Sequence, residues 1–295
     1  MPSIKDLKKR ISSTKNTQQT TKAMKMVSAA KLRRATDAIL SQRPYALEIA
    51  KLMSVLAGQG AASTVSGNEA KKRVSLLLVF SADRGLCGGY NSAVIRAASN
   101  FLSAKSAEGK KVKSVFVGKK AYEIIKGRMP IDLLHFEEFG AKITFKKASE
   151  LSKKILPLYE SGEVDEIVFV YNEFINAITQ EVKTDPVLPL SLSHHEKDDA
   201  VGQSLHSELA IYKPNKIALY EALSGKYFVV QIFKALLEAQ ASEHGSRMSA
   251  MENATKNAGD MIRKLTLQFN KQRQASITKE LLEIISGSES QKAQA

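Results

Sequence analysis

The sequence predicts a small α/β domain set between two long terminal helices that pair with each other as an antiparallel coiled coil. Three observations lead there. Both ends of the chain carry apolar residues at three- and four-residue spacing over tens of residues. Between them, short apolar runs alternate with helical segments. Glycine and proline, dense in loops, are nearly absent from the two ends. At 295 residues, 43% of them apolar, the chain has material for roughly one to two domains.

The first helix runs from Ser3 to about Gly58 and is interrupted only by Pro44, where a bend is expected. A helix of that length extends on the order of 80 Å, too far for one compact domain to bury. Ile4, Leu7 and Ile11 open a heptad seam that Thr14, Gln18, Thr21 and Lys25 then continue. Polar residues at those positions make a poor permanent core. Gly58 to Arg73 reads as a linker.

Strands follow at Val74–Phe80, Val112–Val117, Ile131–Phe136 and Glu166–Tyr171, with helices at Ser92–Ala104, Lys119–Lys126 and Lys146–Leu158 between them. That alternation predicts a mostly parallel sheet in a Rossmann-like α/β domain. A last strand is expected over Ala177–Val187, ending at Pro186 and Pro189. Residues 193–206 read as a polar loop. From Pro214 to Ser286 a second helix of roughly 70 residues, on the order of 100 Å, carries apolar residues through Ile232, Leu236, Met248, Met251, Ile262, Leu265, Phe269, Ile277, Leu281 and Ile285. The expected division is 1–58 and 207–287 for the two shaft helices and 74–206 for the α/β domain.

Lys and Arg number 44 against 30 Asp and Glu, a net charge of +14 that predicts acidic partners. Residues 1–43 hold eleven basic side chains against Asp6 and Asp37. The single Cys87 excludes an internal disulfide and a thiolate zinc site. The longest wholly apolar run, near Leu76–Phe80, falls far short of the ~20 residues that span a bilayer, so any membrane role is expected to be peripheral.

Ser81–Asn91 lies where a strand passes into a helix, a common place for phosphate to rest on backbone N–H groups. Its glycines fall as GxxGG, matching neither GxGxxG nor GxxxxGK[ST], so a tight structural turn is expected rather than a nucleotide site. Cys87 has no orienting base in view and reads as a buried thiol. His194, His195 and His206, near Glu196, Asp198 and Asp199, match no metal-ligand spacing. No catalytic residue, cofactor or metal is expected.

Four segments carry a resemblance: NTQQTTKAMKMVSAAKLRRA (16–35), DRGLCGGYN (83–91), SEHGSRMSAMENATKNA (242–258) and RQASITKELLEIISG (273–287). They resemble, in order and across essentially the whole chain, the gamma subunit of F-type ATP synthase. The resemblance implies the central rotor shaft, one copy per complex, turning inside a hexamer of alpha and beta subunits, with epsilon and the membrane c ring as further partners. It implies a non-catalytic subunit, peripheral on the cytoplasmic side of a bacterial membrane.

By the same resemblance, Lys22, Met24 and Lys25 match a contact with an acidic loop of the beta subunit. Arg247, Gln274, Thr278, Glu280 and Glu283 match exposed polar contacts with the hexamer, and Tyr212 a contact near the c ring. Two places depart from the family pattern: Ser288 follows Gly287 where Gly-Ala is usual, and Tyr212-Lys213-Pro214 stands in place of Tyr-Glu-Pro.

Two other readings start from the same residues. A basic coiled-coil adaptor for nucleic acid fits the charge, but Tyr45 is the only aromatic among the first fifty residues, so base stacking has no support. A nucleotide-dependent enzyme would need a phosphate loop that the spacing does not supply.

Overall fold

The computed structural model describes residues 3–56, 74–140, 142–189, 213 and 215–292. The expected linker, the polar loop with its histidines, Pro214 and Tyr212 lie outside the described residues. In chain order the elements are α1 (Ile4–Leu56), β1 (Val74–Phe80), α2 (Tyr90–Ala107), β2 (Lys111–Val117), α3 (Lys119–Lys126), β3 (Asp132–Glu137), α4 (Phe145–Glu160), β4 (Glu166–Phe174), β5 (Gln180–Leu188) and α5 (Lys216–Lys292). The chain divides into two compact units: Met1–Val27 with Met248–Ala295, and Ser28–Arg247. α1 and α5 contribute to both.

α1 keeps one heptad register over its whole length. Leu7, Thr21, Ser28, Leu32, Ala35, Ile39, Ala46, Ile49, Met53 and Leu56 are buried at that spacing, and Thr14, Gln18, Lys25 and Gln42 are half-buried in the same series. The helix continues through Pro44, which is exposed and withholds one N–H from the helix ladder.

In the first unit the partner seam on α5 runs through Met251, Thr255, Ala258, Ile262, Leu265, Phe269, Gln272 and Ser276, again at alternating four and three. The register is antiparallel: Thr255 Oγ1 donates to Thr21 Oγ1 at 2.8 Å, and Lys25 Nζ meets Glu252 Oε1 at 2.6 Å. At Gly259 a Cβ would stand 3.0 Å from Gln18 Nε2, so the glycine lets the helices approach. Small and hydroxylated residues thus fill a seam that leucines would otherwise hold.

The second unit is built on a five-stranded sheet of order β3-β2-β1-β4-β5. β1 to β4 pair in parallel, and β5 joins β4 antiparallel. Because side chains alternate across a strand, β1 sends Leu76, Leu78 and Phe80 to one face and Leu77 and Val79 to the other. The first face is covered by α4 together with Ala46–Leu56 of α1 and Tyr220–Ala239 of α5; the second by α2 and α3. Both faces are therefore dry along the central strands β1 and β4, while the edge strand β3 stays partly exposed.

The final strand starts at Gln180 rather than Ala177. Asn176 Oδ1 accepts from Ile178 N and Thr179 N, folding those residues into the hairpin turn. Pro186 lies inside β5 rather than at its end, which an edge strand with one neighbour tolerates.

Between β2 and α3, Gly118 has φ 104, and a Cβ there would stand 1.9 Å from Ser81 O. Ser81 Oγ donates to Gly118 O and accepts from Ala121 N. Gly118→Ala is expected to cost at least ~3 kcal/mol, whereas Gly85→Ala, with open space around its Cβ, should stay within about 0.5 kcal/mol of the parent. Denaturant unfolding followed by circular dichroism checks the contrast.

Candidate functional site

The loop Ser81–Asn91 leaves β1 and enters α2 fully spoken for by its own chain. Asp83 Oδ1 accepts from Phe139 N at 2.9 Å and Lys119 N at 3.2 Å, and Oδ2 accepts from Gly140 N at 2.8 Å. A carboxylate of the protein thus takes the N–H at the start of α3 and two N–H groups after β3, donors that a phosphate would want. Asn91 closes the loop, its Oδ1 accepting from Ala82 N and its Nδ2 donating to Arg84 O. The segment is a turn braced by its own side chains.

The far side of the loop is fastened to α5. Ser246 Oγ donates to Cys87 O at 2.6 Å, and Arg247 Nη2 reaches Gly85 O at 3.3 Å and Arg84 O at 3.5 Å. Arg247 Nη1 pairs with Glu243 Oε1 at 2.6 Å, the two side chains being 12% and 11% exposed. Burial raises the Glu243 carboxyl above the usual range, and Arg247 opposes the shift. Burial also pushes the Cys87 thiol up, so it stays protonated at neutral pH. Alongside, Gly245 packs on the β4–β5 turn, where a Cβ would stand 3.2 Å from Ala177 O.

Arg247 was expected to be exposed; it is largely buried, because its guanidinium serves the loop carbonyls and Glu243. The other sequence-chosen residues separate into two places. Lys22, Met24 and Lys25 lie on α1 in the first unit, where Lys22 and Lys25 line a groove of about 600 Å³ whose walls include Gln19, Glu252, Lys256 and Arg263. Lys25 is paired with Glu252 and Arg263 with Asp260, while Lys22 and Lys256 have no ion pair among the described residues. Lys256 and Arg263 escaped the sequence reading; the antiparallel heptad register places Lys256 near Lys22 and Arg263 two turns further along α5.

Gln274, Thr278, Glu280 and Glu283 stand on the last turns of α5, all exposed. Their polar contacts are within the helix: Thr278 Oγ1 to Gln274 O at 3.0 Å, Ser276 Oγ to Glu280 Oε1 at 3.3 Å, and Lys279 with Glu283 at 3.5 Å. Periodic burial stops at Ser276; beyond it Ile277, Leu281, Leu282, Ile284 and Ile285 are exposed together. Five large apolar side chains are thus uncovered on this stretch of helix.

His244, one residue from the clamp, has its pKa lowered from 6.5 to about 4 by burial, then by Arg247 and Lys31. Between those values the unfolded chain binds a proton that the folded chain resists, so stability falls as the pH drops through that window. The raised carboxyls of Glu238 and Glu243 act in the opposite sense. The melting midpoint of His244→Gln is therefore expected to fall less than the parent's between pH 6.5 and 4, in a pH series of thermal melts.

Comparisons with known proteins agree with this geometry. A family profile described as ATP synthase matches residues 3–290. The ATP synthase gamma chain of Rhizobium leguminosarum bv. trifolii (strain WSM2304) is 44% identical over 98% of this chain and 99% of its own length. Among solved structures, a chain of the Tetrahymena thermophila mitochondrial ATP synthase central stalk and c ring has a TM-score of 0.61 at 26% identity, covering 79% of this chain and 98% of its own. A chain of the Euglena gracilis mitochondrial ATP synthase has a TM-score of 0.66 at 19% identity over 98% of this chain and 95% of its own, which speaks to the fold alone. A profile that spans nearly every residue and a full-length relative at that identity place this chain in the ATP synthase gamma chain family.

Proposed function

We propose that the chain is the central-stalk rotor subunit of the F1 sector of ATP synthase, transmitting rotation between a proton-driven c ring and the catalytic hexamer of alpha and beta subunits. One copy serves each complex, and epsilon binds alongside. The subunit makes and breaks no bonds itself. Its attachment to the membrane is peripheral, on the cytoplasmic side of a bacterial membrane; among the described residues no helix is long and apolar enough to cross one. The nucleic-acid adaptor reading finds no support among the relatives.

The observation that carries the reading is the seam of the first unit. Thr21 against Thr255 and Gly259 against Gln18 make part of the seam small and polar, and its large apolar residues are confined to positions such as Leu7, Met251, Ile262, Leu265 and Phe269. Such a pair offers a sleeve little to adhere to while it turns. Torsion passes along α1 and α5, each covalently continuous through both units. We assign residues 1–58 and 207–287 to the shaft and 74–206 to the α/β domain, which meets epsilon and the c ring, with Tyr212 near that contact. Each angle of an asymmetric shaft presents different groups to three catalytic interfaces and biases their open and closed states.

The basic groove fits an acidic loop of the beta subunit. Lys22 and Lys256 are free to engage it, with Met24 on the same helix, while Lys25 first has to leave Glu252. Gln274, Thr278, Glu280 and Glu283 engage the hexamer higher on α5. Arg247 acts there through the loop it holds as much as by direct contact.

The deciding experiment is expression of the tagged chain with alpha and beta subunits. Stable co-purification with ATPase activity is expected, and its absence would refute the assignment. Lys22→Glu with Lys256→Glu should lower turnover and flatten its dependence on ionic strength, because exposed cations in a cleft act over about a Debye length. Unchanged salt dependence would mean that these lysines are only solvated.

Deleting residues 277–295 should leave the melting midpoint of the free chain within about 2 °C of the parent, since burial along α5 has already ended at Ser276. Retention in the complex should nevertheless weaken. Gel filtration of the assembled subunits reads that loss.

A further inference from the structure

The groove in the first unit holds more positive charge than the pairing of its helices uses. Residues 1–27 and 248–295 carry fourteen basic side chains against six acidic. Lys22, Lys25, Lys256 and Arg263 line the groove, and Glu252 is the one acid among its described walls. Flanking positions of paired helices ordinarily bring opposite charges together, and Lys25 with Glu252 at 2.6 Å does so. One turn along, the pattern reverses. Lys22 on α1 and Lys256 on α5 line the same cavity, and neither has an ion pair among the described residues.

Glycine keeps the space beside them open. Gly259 belongs to the wall, and a Cβ there would stand 3.0 Å from Gln18 Nε2. Glycine weakens a helix interior, so the position gives up helix stability for room. Elsewhere exposed lysines find a carboxylate on the next turn, as Lys120 does with Glu123 and Lys279 with Glu283. Arg263 places one guanidinium nitrogen against Asp260 at 2.8 Å and keeps the other donors of its fork. A cleft lined by one sign of charge concentrates counter-ions from solution.

We propose that this groove binds the phosphate chain of a linear polyphosphate, inorganic or carried by a nucleotide, with Lys22 and Lys256 along its sides and Arg263 at one end. Lys256 and Arg263 are seven residues apart, about 10 Å along α5, farther than a single phosphate reaches. A chain of three phosphates offers oxygens to all three cations at once. Among the described residues no aromatic ring lines the groove, so a nucleoside gains nothing by stacking there. The site is a property of the free chain and goes beyond the rotor reading. Its occupant neutralises the lysines which that reading assigns to an acidic loop, so anion and loop compete.

The test is calorimetric titration of the full-length chain with sodium tripolyphosphate, at an ionic strength held near about 0.1 M with sodium chloride. One saturable site per chain is expected. Orthophosphate should bind about tenfold more weakly or worse, and ATP without divalent metal within about fivefold of tripolyphosphate. Lys22→Gln with Lys256→Gln should weaken tripolyphosphate about tenfold or more. Lys9→Gln with Lys271→Gln removes the same charge from the same two helices outside the groove and should stay within about twofold of the parent. All four lysines are exposed, so both pairs of substitutions should leave the melting midpoint within about 2 °C of the parent.

Binding that does not saturate, or that weakens equally in the two double variants, would overturn the proposal and reduce it to attraction by net charge. Parent-like affinity of the Lys22 and Lys256 variant would overturn it as well. Orthophosphate binding as tightly as tripolyphosphate would contradict recognition of a linear chain. ATP binding about tenfold tighter than tripolyphosphate and indifferent to Lys22 and Lys256 would place recognition on the nucleoside, outside this groove. None of these results touches co-purification with alpha and beta subunits, so the rotor reading and the anion site fail separately.

Discussion

Everything in this structure depends on one heptad register carried by each terminal helix. Along α1 the series from Leu7 to Leu56 never slips, yet its chemistry changes. Where α1 and α5 cover the sheet, the seam is Ile49, Met53 and Leu56, packed in the core with Phe228, Ile232 and Leu236. In the other unit the same register alternates large apolar residues such as Leu7, Ile262 and Phe269 with Thr21, Lys25, Thr255 and Ala258. Burial of large apolar side chains contributes roughly 1.5 to 3 kcal/mol each and makes one end of each helix a permanent part of a domain. Hydroxyl pairs and exposed ion pairs contribute far less, about 1 kcal/mol or below. The helices are thus anchored by one part and left chemically quiet in the other.

The loop after β1 shows how a phosphate-site position can be turned to mechanical use. In a parallel sheet the strand-to-helix turns gather N–H donors at one edge. Here Asp83 occupies those donors, and the loop becomes a bracket between α3 and α5. Glu243, Ser246 and Arg247 complete the bracket from the helix side, and the short Arg247–Glu243 pair is well enough buried to resist screening by salt. The bracket fixes α5 to the sheet at Gly245, where the absence of a side chain lets the hairpin turn approach.

The elements were legible because their signals are strong and local. β1 and α3 match the expected bounds, since an apolar run between polar flanks and a short amphipathic helix leave little latitude. The start of β5 was misplaced because Ala177–Thr179 has strand-like composition, and the turn is made by the Asn176 side chain three residues back. The site was only half legible. Lys22 and Lys25 stood out by charge, but Lys256 and Arg263 become their neighbours only once helix pairing is known. Arg247 drew attention through its motif, and its burial against a loop some 160 positions earlier has no local signature. The left-handed backbone of Leu86, at φ 61, is equally silent, because backbone dihedrals imposed by distant anchors are not written in residue type.

The central claim is that this chain turns as a stiff rod within a stationary hexamer. The most direct measurement fixes alpha and beta subunits to a surface, attaches a visible probe to the α/β domain of this chain, and follows the probe as ATP is supplied. The account requires rotation in one direction, pausing at about thirds of a turn because three catalytic interfaces act in sequence. Continued ATP hydrolysis with a motionless probe, or motion without preferred direction, would contradict it.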